Sequence, residues 1–470
     1  MPEEQQLLIA LKKLALKIIS EVLACLQQGA IQPEIELYYR GEVEEFDYTP
    51  QGSIQTKIAF NPLNKPIWRK ALKYLNSYIV NFDDYREILE LYNQVKPEDL
   101  ESFSNKIIID FLYSKLDDDK INYIIDIFLK EINQEPIIYT LEICLEGLFL
   151  QGIESIDFKD NTFNLVLRKT KTEDLEKEFP YYNFNQTSTE IPSAILSIVS
   201  YEDSPSKRQA LVYKSVAILR LFKPGSVDYI SFSTKCEAIT QRARLKVGGV
   251  FSKNKSIIAP INSFIYQEDE QNLKCFWKAI AKVLPESFYS LEKKELNHLL
   301  IAYNRYCDAL LRRLSTLEER VTNAIIGLES LLLCENVEIS FRFRIRGAKI
   351  LSFLGYSALE VKDALNLGYE IRSAFVHGDD IKLEKSSKKL SNKYLEKEDF
   401  LLKILEYLRI LIVITFFLLE NEEFAKQKNG KIIFLKEDFL KLVDDSLIDK
   451  IQEDRLITIL NLASSRVSEV

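Results

Sequence analysis

Histidine is almost missing from this chain, with two in 470 residues. Imidazole is the side chain whose ordinary pKa lies nearest working pH, so a neutral-pH proton carrier has few places to be. The six cysteines (Cys25, Cys144, Cys236, Cys275, Cys307, Cys334) lie far apart and form no C-x-x-C. That spacing argues against a zinc ribbon or a disulfide framework and for a reducing compartment, hence a cytoplasmic protein. There is no G-x-x-x-x-G-K phosphate loop. No set of His, Cys and carboxylates has ligand spacing, the Asp379-Asp380 pair included, so neither a metal nor a cofactor is expected. Positive charge is also short. The formal net charge is −8 and the pI about 5.3, so no global field draws the protein to nucleic acid. Any RNA contact must come from local basic patches. The apolar run Ile410–Leu419 is shorter than the roughly 20 residues a bilayer needs. Glu406 and Arg409 flank it, so it reads as a buried core or dimer helix, and no membrane partner is expected.

What is present is an ordinary globular composition, 47% hydrophobic and 28% charged. Residues 5–28 carry Leu7, Leu11, Leu14, Ile18, Val22 and Cys25 on one helical stripe, with Gly29 as the stop. Ile35, Leu37 and Tyr39, then Ile54, Thr56, Ile58 and Phe60, alternate like strands around a Pro50-Gln51-Gly52 turn. Pro66 opens a helix through Trp68, Leu72, Leu75 and Ile79, and helix continues to about Ile132. Asp117-Asp118-Asp119 reads as a helix N-terminus rather than a metal cluster. After Pro136 strands take over: Leu141, Ile143 and Leu145; a hairpin around Lys159-Asp160-Asn161; then Ala194–Ser200. Ser204-Pro205 opens a helix that ends at Pro224-Gly225, and Tyr229–Phe232 resumes as strand. From Leu296 to Leu331 the helical period returns as one long apolar stripe. His298 lies off that stripe and reads as a surface residue. The expected class is α+β multidomain: 1–134 a helical and strand region, 135–285 a β-rich recognition or scaffold domain, 286–425 an all-α helical bundle, and 426–470 a C-terminal appendage. Residues 1–285 are the expected seat of a trigger or partner.

The most informative stretch is Gly368 to Asp379. Arg372 stands five residues before His377, and Gly378 follows as a helix stop able to adopt positive φ. A histidine at that end meets the negative pole of the helix dipole, which favours positive charge. Basic residues flank the pair: Arg342, Arg344, Arg346 and Lys349 before it, and Lys382, Lys385, Lys388, Lys389 and Lys393 after it. The lysine run, with Ser386-Ser387 inside it, reads as a mobile loop. Lys382, Lys385, Lys388, Lys389 and Arg346 are the candidate phosphate contacts.

Three blocks in order carry a family resemblance. Arg313-Leu314 to Arg320 leads into Ala324-Ile325-Ile326-Gly327-Leu328-Glu329-Ser330-Leu331-Leu332. Glu338 to Ala348 follows, with Arg346-Gly347-Ala348 in the place of an R-x-A run. Tyr369-x-x-Arg372-Ser373-x-x-x-His377-Gly378 closes the set. From about Ser290 to Glu420 the chain resembles the ApeA-like branch of the HEPN superfamily. The resemblance implies a compact helical domain that dimerises, bringing two R-x4-H motifs into one composite cleft. Active members are metal-independent endoribonucleases, many in antiviral defence or toxin systems. Ser373 stands where many members have Asn or Asp.

Cleaving RNA requires taking a proton from the ribose 2′-OH, stabilising the phosphorane and protonating the leaving 5′ oxygen. Imidazole suits the proton transfers and a guanidinium suits the phosphate. Arg372 and His377 are thus the expected catalytic pair. Glu329 would orient Arg372 or form an ordinary salt bridge. Tyr369, one turn before Arg372, would stack on a base or pack. Ser373 adjoins the arginine. The expected function is a metal-independent endoribonuclease. The alternatives are an RNA-binding protein that does not cut and a structural subunit of a larger defence complex.

Overall fold

The computed structural model describes residues 3–27, 46–48, 54–56, 75–113, 116–135, 138–158, 164–171, 193–201, 204–235, 239–240, 251–252, 261–284, 288, 297–312, 315–335, 337–394, 396–428 and 431–468. The described helices at the start of the chain include α1 (Glu3–Gln27), α2 (Asp83–Leu91), α3 (Pro97–Tyr113) and α4 (Asp118–Ile132), and residues 75–79 are helical as expected. The expected stripe of α1 is buried throughout, from Leu7 to Cys25, and packs against the other three. Asp117 caps α4 by accepting the Lys120 N–H at 2.9 Å, so the aspartate run does serve a helix start. Strands β1 (Phe46–Tyr48) and β2 (Ile54–Thr56) pair antiparallel on either side of the expected turn. Ile35, Leu37, Tyr39, Ile58, Phe60, Trp68 and Leu72 lie outside the described residues. The apolar core of this part spans Leu7 to Ile132 and takes in Ile239.

The middle of the chain holds a six-stranded antiparallel sheet, ordered β5-β6-β7-β3-β8-β9. Its strands are β3 (Tyr139–Glu146), β5 (Ser155–Asp157), β6 (Asn164–Lys169), β7 (Ala194–Ser200), β8 (Asp228–Lys235) and β9 (Phe251–Ser252). Leu141 and Ile143 of β3 face Ile198 and Leu196 on one side and Thr234 and Phe232 on the other. β4 (Leu148–Gln151) runs parallel to β10 (Ser263–Tyr266) in a separate pair. Helix α5 (Pro205–Phe222) begins after Ser204 with proline first, as expected, although the Ser204 hydroxyl meets Ser206 rather than a helix N–H. α6 (Glu270–Val283) packs against α5.

The C-terminal part is helical: α7 (His298–Leu311), α8 (Leu317–Leu332), α9 (Ile339–Ser352), α10 (Ala358–His377), α11 (Asp380–Lys393) and α12 (Lys397–Leu418). The long stripe from Leu296 to Leu331 is two helices, α7 and α8, packed on each other. The period carries across the break because both helices bury the same kind of face. Every residue of α12 from Leu411 to Leu418 is buried within the chain, which makes the apolar run a core helix of the protomer. Among the described residues no helix is long and apolar enough to cross a membrane.

One expectation needs correction. The lysine run after His377 is helix α11, not a loop. Asp379 caps it by accepting the Lys382 N–H at 3.1 Å, and Leu383, Ser386 and Leu390 turn inward while the lysines stay outside. Its inner stripe is so short and so interrupted by serine that the pattern looks structureless. The C-terminal segment packs on the helices before it. A hairpin, β11 (Ala425–Lys428) with β12 (Lys431–Phe434), leads to α13 (Lys436–Asp445) and α14 (Lys450–Ser468). α13 packs on α9, and α14 packs on α6 and α12. One apolar core runs from Leu141 to Ala463, continuous across 285/286 and 425/426.

Candidate active site

Two helices set the position of the arginine. α8 and α10 pack closely at Gly368, where a Cβ would stand 2.5 Å from Cδ1 of Ile325. That approach brings Arg372, one turn further along α10, against Glu329 near the end of α8. Nη2 of Arg372 lies 3.3 Å from Oε2 of Glu329, with the two side chains 27% and 15% exposed. Burial raises the pKa of the Glu329 carboxyl, and the guanidinium opposes that rise. Nε of Arg372 is buried and has no hydrogen-bond partner. Tyr369 is half-buried, its ring 6.0 Å from that of Phe343, and Ser373 is half-buried on the other side of Arg372.

His377 is the last residue of α10, and Gly378 ends the helix at φ +63° as expected. Five residues along a helix turn the side chain by about 140° and advance it about 7.5 Å. His377 is accordingly exposed on another face, and it does not line the cavity that holds Arg372. Within one chain the motif therefore separates its two functional groups.

That cavity has a volume of about 690 Å³ and lies between the ends of α7, α8 and α10 and the start of α13. It contains an imidazole of its own. His298, the first residue of α7, is exposed, as its place off the stripe implies, but it lines this cavity. Lys436, the first residue of α13, is only 5% exposed. Its Nζ lies 3.3 Å from Nδ1 of His298 and donates to the carbonyls of Ser330, at 3.2 Å, and Leu333. Lys436 thus caps the C-terminal end of α8, where free carbonyls favour a cation. Burial lowers the Lys436 pKa. Burial first, and then the nearby Lys436 charge, hold the His298 pKa below its usual value, with Glu437 opposing. No motif links positions 298, 372 and 436; the scarcity of histidine is the only signal in the sequence that marks His298.

The basic residues divide sharply. Arg346, expected on RNA, is 1% exposed and spends all its donors inside the protein. It bonds the Leu332 carbonyl at 2.9 Å, both oxygens of Glu335 at 2.9 and 2.7 Å, and both oxygens of Asp444 at 2.8 and 2.6 Å. Its helix lies between two acidic segments, so the guanidinium is a structural clamp and no phosphate contact. Arg342 pairs with Glu335 and Asp444, Arg344 with Asn366, and Lys349 with Glu453. On α11 the lysines stay at the surface. Lys382 pairs with Asp379, Lys388 with Glu384 and Lys389 with Glu370, all with exposed ammonium ends. Lys385 is also exposed. The chain matches no known family model, no curated protein and no solved structure.

Proposed function

We propose that this protein is a metal-independent endoribonuclease of the HEPN type, serving antiviral defence or a toxin-like role and working as a homodimer on RNA. The observation that carries the reading is the placement of Arg372. It is held by a half-buried carboxylate at a cavity wall, with one N–H buried and unpaired, on the helix whose last residue is the exposed His377. A fixed guanidinium stabilises the phosphorane, and an exposed imidazole can reach a substrate held by a second copy. The α11 lysines, beside His377, supply backbone contacts. The separation of Arg372 from His377 in one chain also supports a second reading, an RNA-binding protein that does not cut.

Purified protein incubated with total RNA distinguishes the two. Cleavage is expected to persist in excess chelator, to leave 2′,3′-cyclic phosphate or 3′-phosphate ends, and to spare DNA, which lacks the 2′-OH. Activity abolished by chelation and restored by magnesium would overturn the mechanism. Binding without cleavage, equal in wild type and His377→Ala, would establish the second reading.

A further inference from the structure

The cavity beside Arg372 carries fixed charge of both signs. Glu329, Glu335, Glu437 and Asp438 line it, against the cations Arg372 and Lys436. Glu335 is neutralised by Arg346 and Arg342 at its back. The carboxylates that remain, Glu329, Glu437 and Asp438, disfavour an anion in the body of the cavity and leave the phosphate to Arg372 at its wall. The walls between the charges are apolar and aromatic, with Tyr369 and Phe434 both half-buried.

The hydrogen-bonding pattern is specific. The Lys436 ammonium has only donors, so Nδ1 of His298 beside it is assigned as the acceptor and Nε2 as the protonated nitrogen. So assigned, His298 offers a donor. Oε2 of Glu329 holds Arg372, and a carboxylate has acceptor capacity beyond one such bond. A donor and several acceptor carboxylates, in a cleft with two aromatic side chains, match a flat neutral ring that carries N–H groups and a carbonyl along one edge.

We propose that this cavity is a nucleobase pocket selective for guanine. The N1–H and 2-amino group would face Glu329, O6 would accept from Nε2–H of His298, and the ring would lie against Tyr369 and Phe434. The pocket deepens the endoribonuclease reading and rests on it for the source of the base, a guanine next to the scissile phosphate. It makes His298 and Glu329 determinants of where the chain is cut, whereas His377 moves protons.

The test needs no cleavage. Full-length protein is titrated with guanosine, inosine, adenosine, cytidine and uridine, following the imidazole signals by NMR; with two histidines, His377→Ala assigns them. Guanosine is expected to shift the His298 signals and to bind about tenfold or more tightly than inosine, which lacks the 2-amino donor to the carboxylate. His298→Ala, a change at an exposed position, is expected to weaken guanosine about tenfold. A G-containing RNA oligonucleotide should compete with guanosine far better than a G-free one. Equal affinity for all five nucleosides, or none for any, would overturn the proposal. So would His298 signals that respond to inorganic phosphate or to a lysine-rich peptide but not to guanosine. If guanosine binds and no RNA is cut, the ribonuclease reading falls and the pocket stands. If RNA is cut without regard to guanine, the pocket falls and the reading stands.

Discussion

The Lys436 ammonium holds Nδ1 of His298 at 3.3 Å, across 138 positions of sequence, in the cleft that also contains Arg372. As a mere surface residue His298 would be a silent control for the other imidazole. In the proposed guanine pocket it would instead help to choose the cleavage site. His298→Ala is expected to change which phosphodiesters are cut, with little loss of rate at the best remaining site. Sequencing of product ends against wild type checks this, and an unchanged pattern returns His298 to the silent surface.

His377→Ala is expected to lower cleavage by about 10²- to 10⁴-fold, the usual worth of a general acid–base group. Arg372→Ala should do comparable damage, and Arg372→Lys should rescue poorly, because a point charge cannot replace the planar fork. RNA affinity should survive in His377→Ala. Single-turnover rates and filter binding separate these effects; equal cutting by His377→Ala and wild type would place the activity elsewhere.

The exposed lysines of α11 should set the salt dependence. Each lysine removed from the phosphate track lowers the slope of log affinity against log salt by roughly 0.7 for single-stranded RNA. Replacing Lys382, Lys385 and Lys388 together should flatten the slope accordingly. An unchanged slope would show that the RNA lies on another face.

Arg346 predicts stability rather than binding. Arg346→Met leaves Glu335 and Asp444 with Arg342 alone as their shared partner, at longer range, and should cost on the order of 3 kcal/mol in urea unfolding. The same clamp has a pH signature. Hydrogen bonds from Arg346 hold the Glu335 carboxyl well below the usual carboxylate range. A depressed folded-state pKa contributes stability above the unfolded value, about 4.3, and that stability is lost as pH falls towards the folded pKa. Wild type should therefore weaken with acid below about pH 4.3 more steeply than Arg346→Met. Parallel acid profiles would remove Glu335 from the account.

A homodimer is expected from the chemistry, because Arg372 and His377 do not share a face in one chain. The apolar α12 no longer argues for it, since its residues from Leu411 to Leu418 are already buried within the protomer. Light scattering at micromolar concentration should give about twice the chain mass. A strictly monomeric, active protein would rule out a composite site.

The sequence by itself determined the local facts. Leu7 to Cys25 on one stripe required a buried helix face, proline after Ser204 marked a helix start, and Gly378 marked a helix end, because each depends on the φ and periodicity of a few neighbouring residues. The pairing of Glu329 with Arg372 was legible only as a candidate, because it depends on the close approach of α8 and α10 at Gly368. The tertiary structure alone decided the rest. Arg346 and the lysines of α11 look alike as basic residues near a motif, yet one faces Glu335 and Asp444 in the interior and the others face solvent. Charge pattern carries no sign of that difference, because a cation's burial is set by which distant carboxylates the fold brings to it. For the same reason no periodicity could join His298, Arg372 and Lys436. Their cavity exists only where the ends of four helices meet, and helix ends are placed by the packing of whole helices rather than by the residues that terminate them.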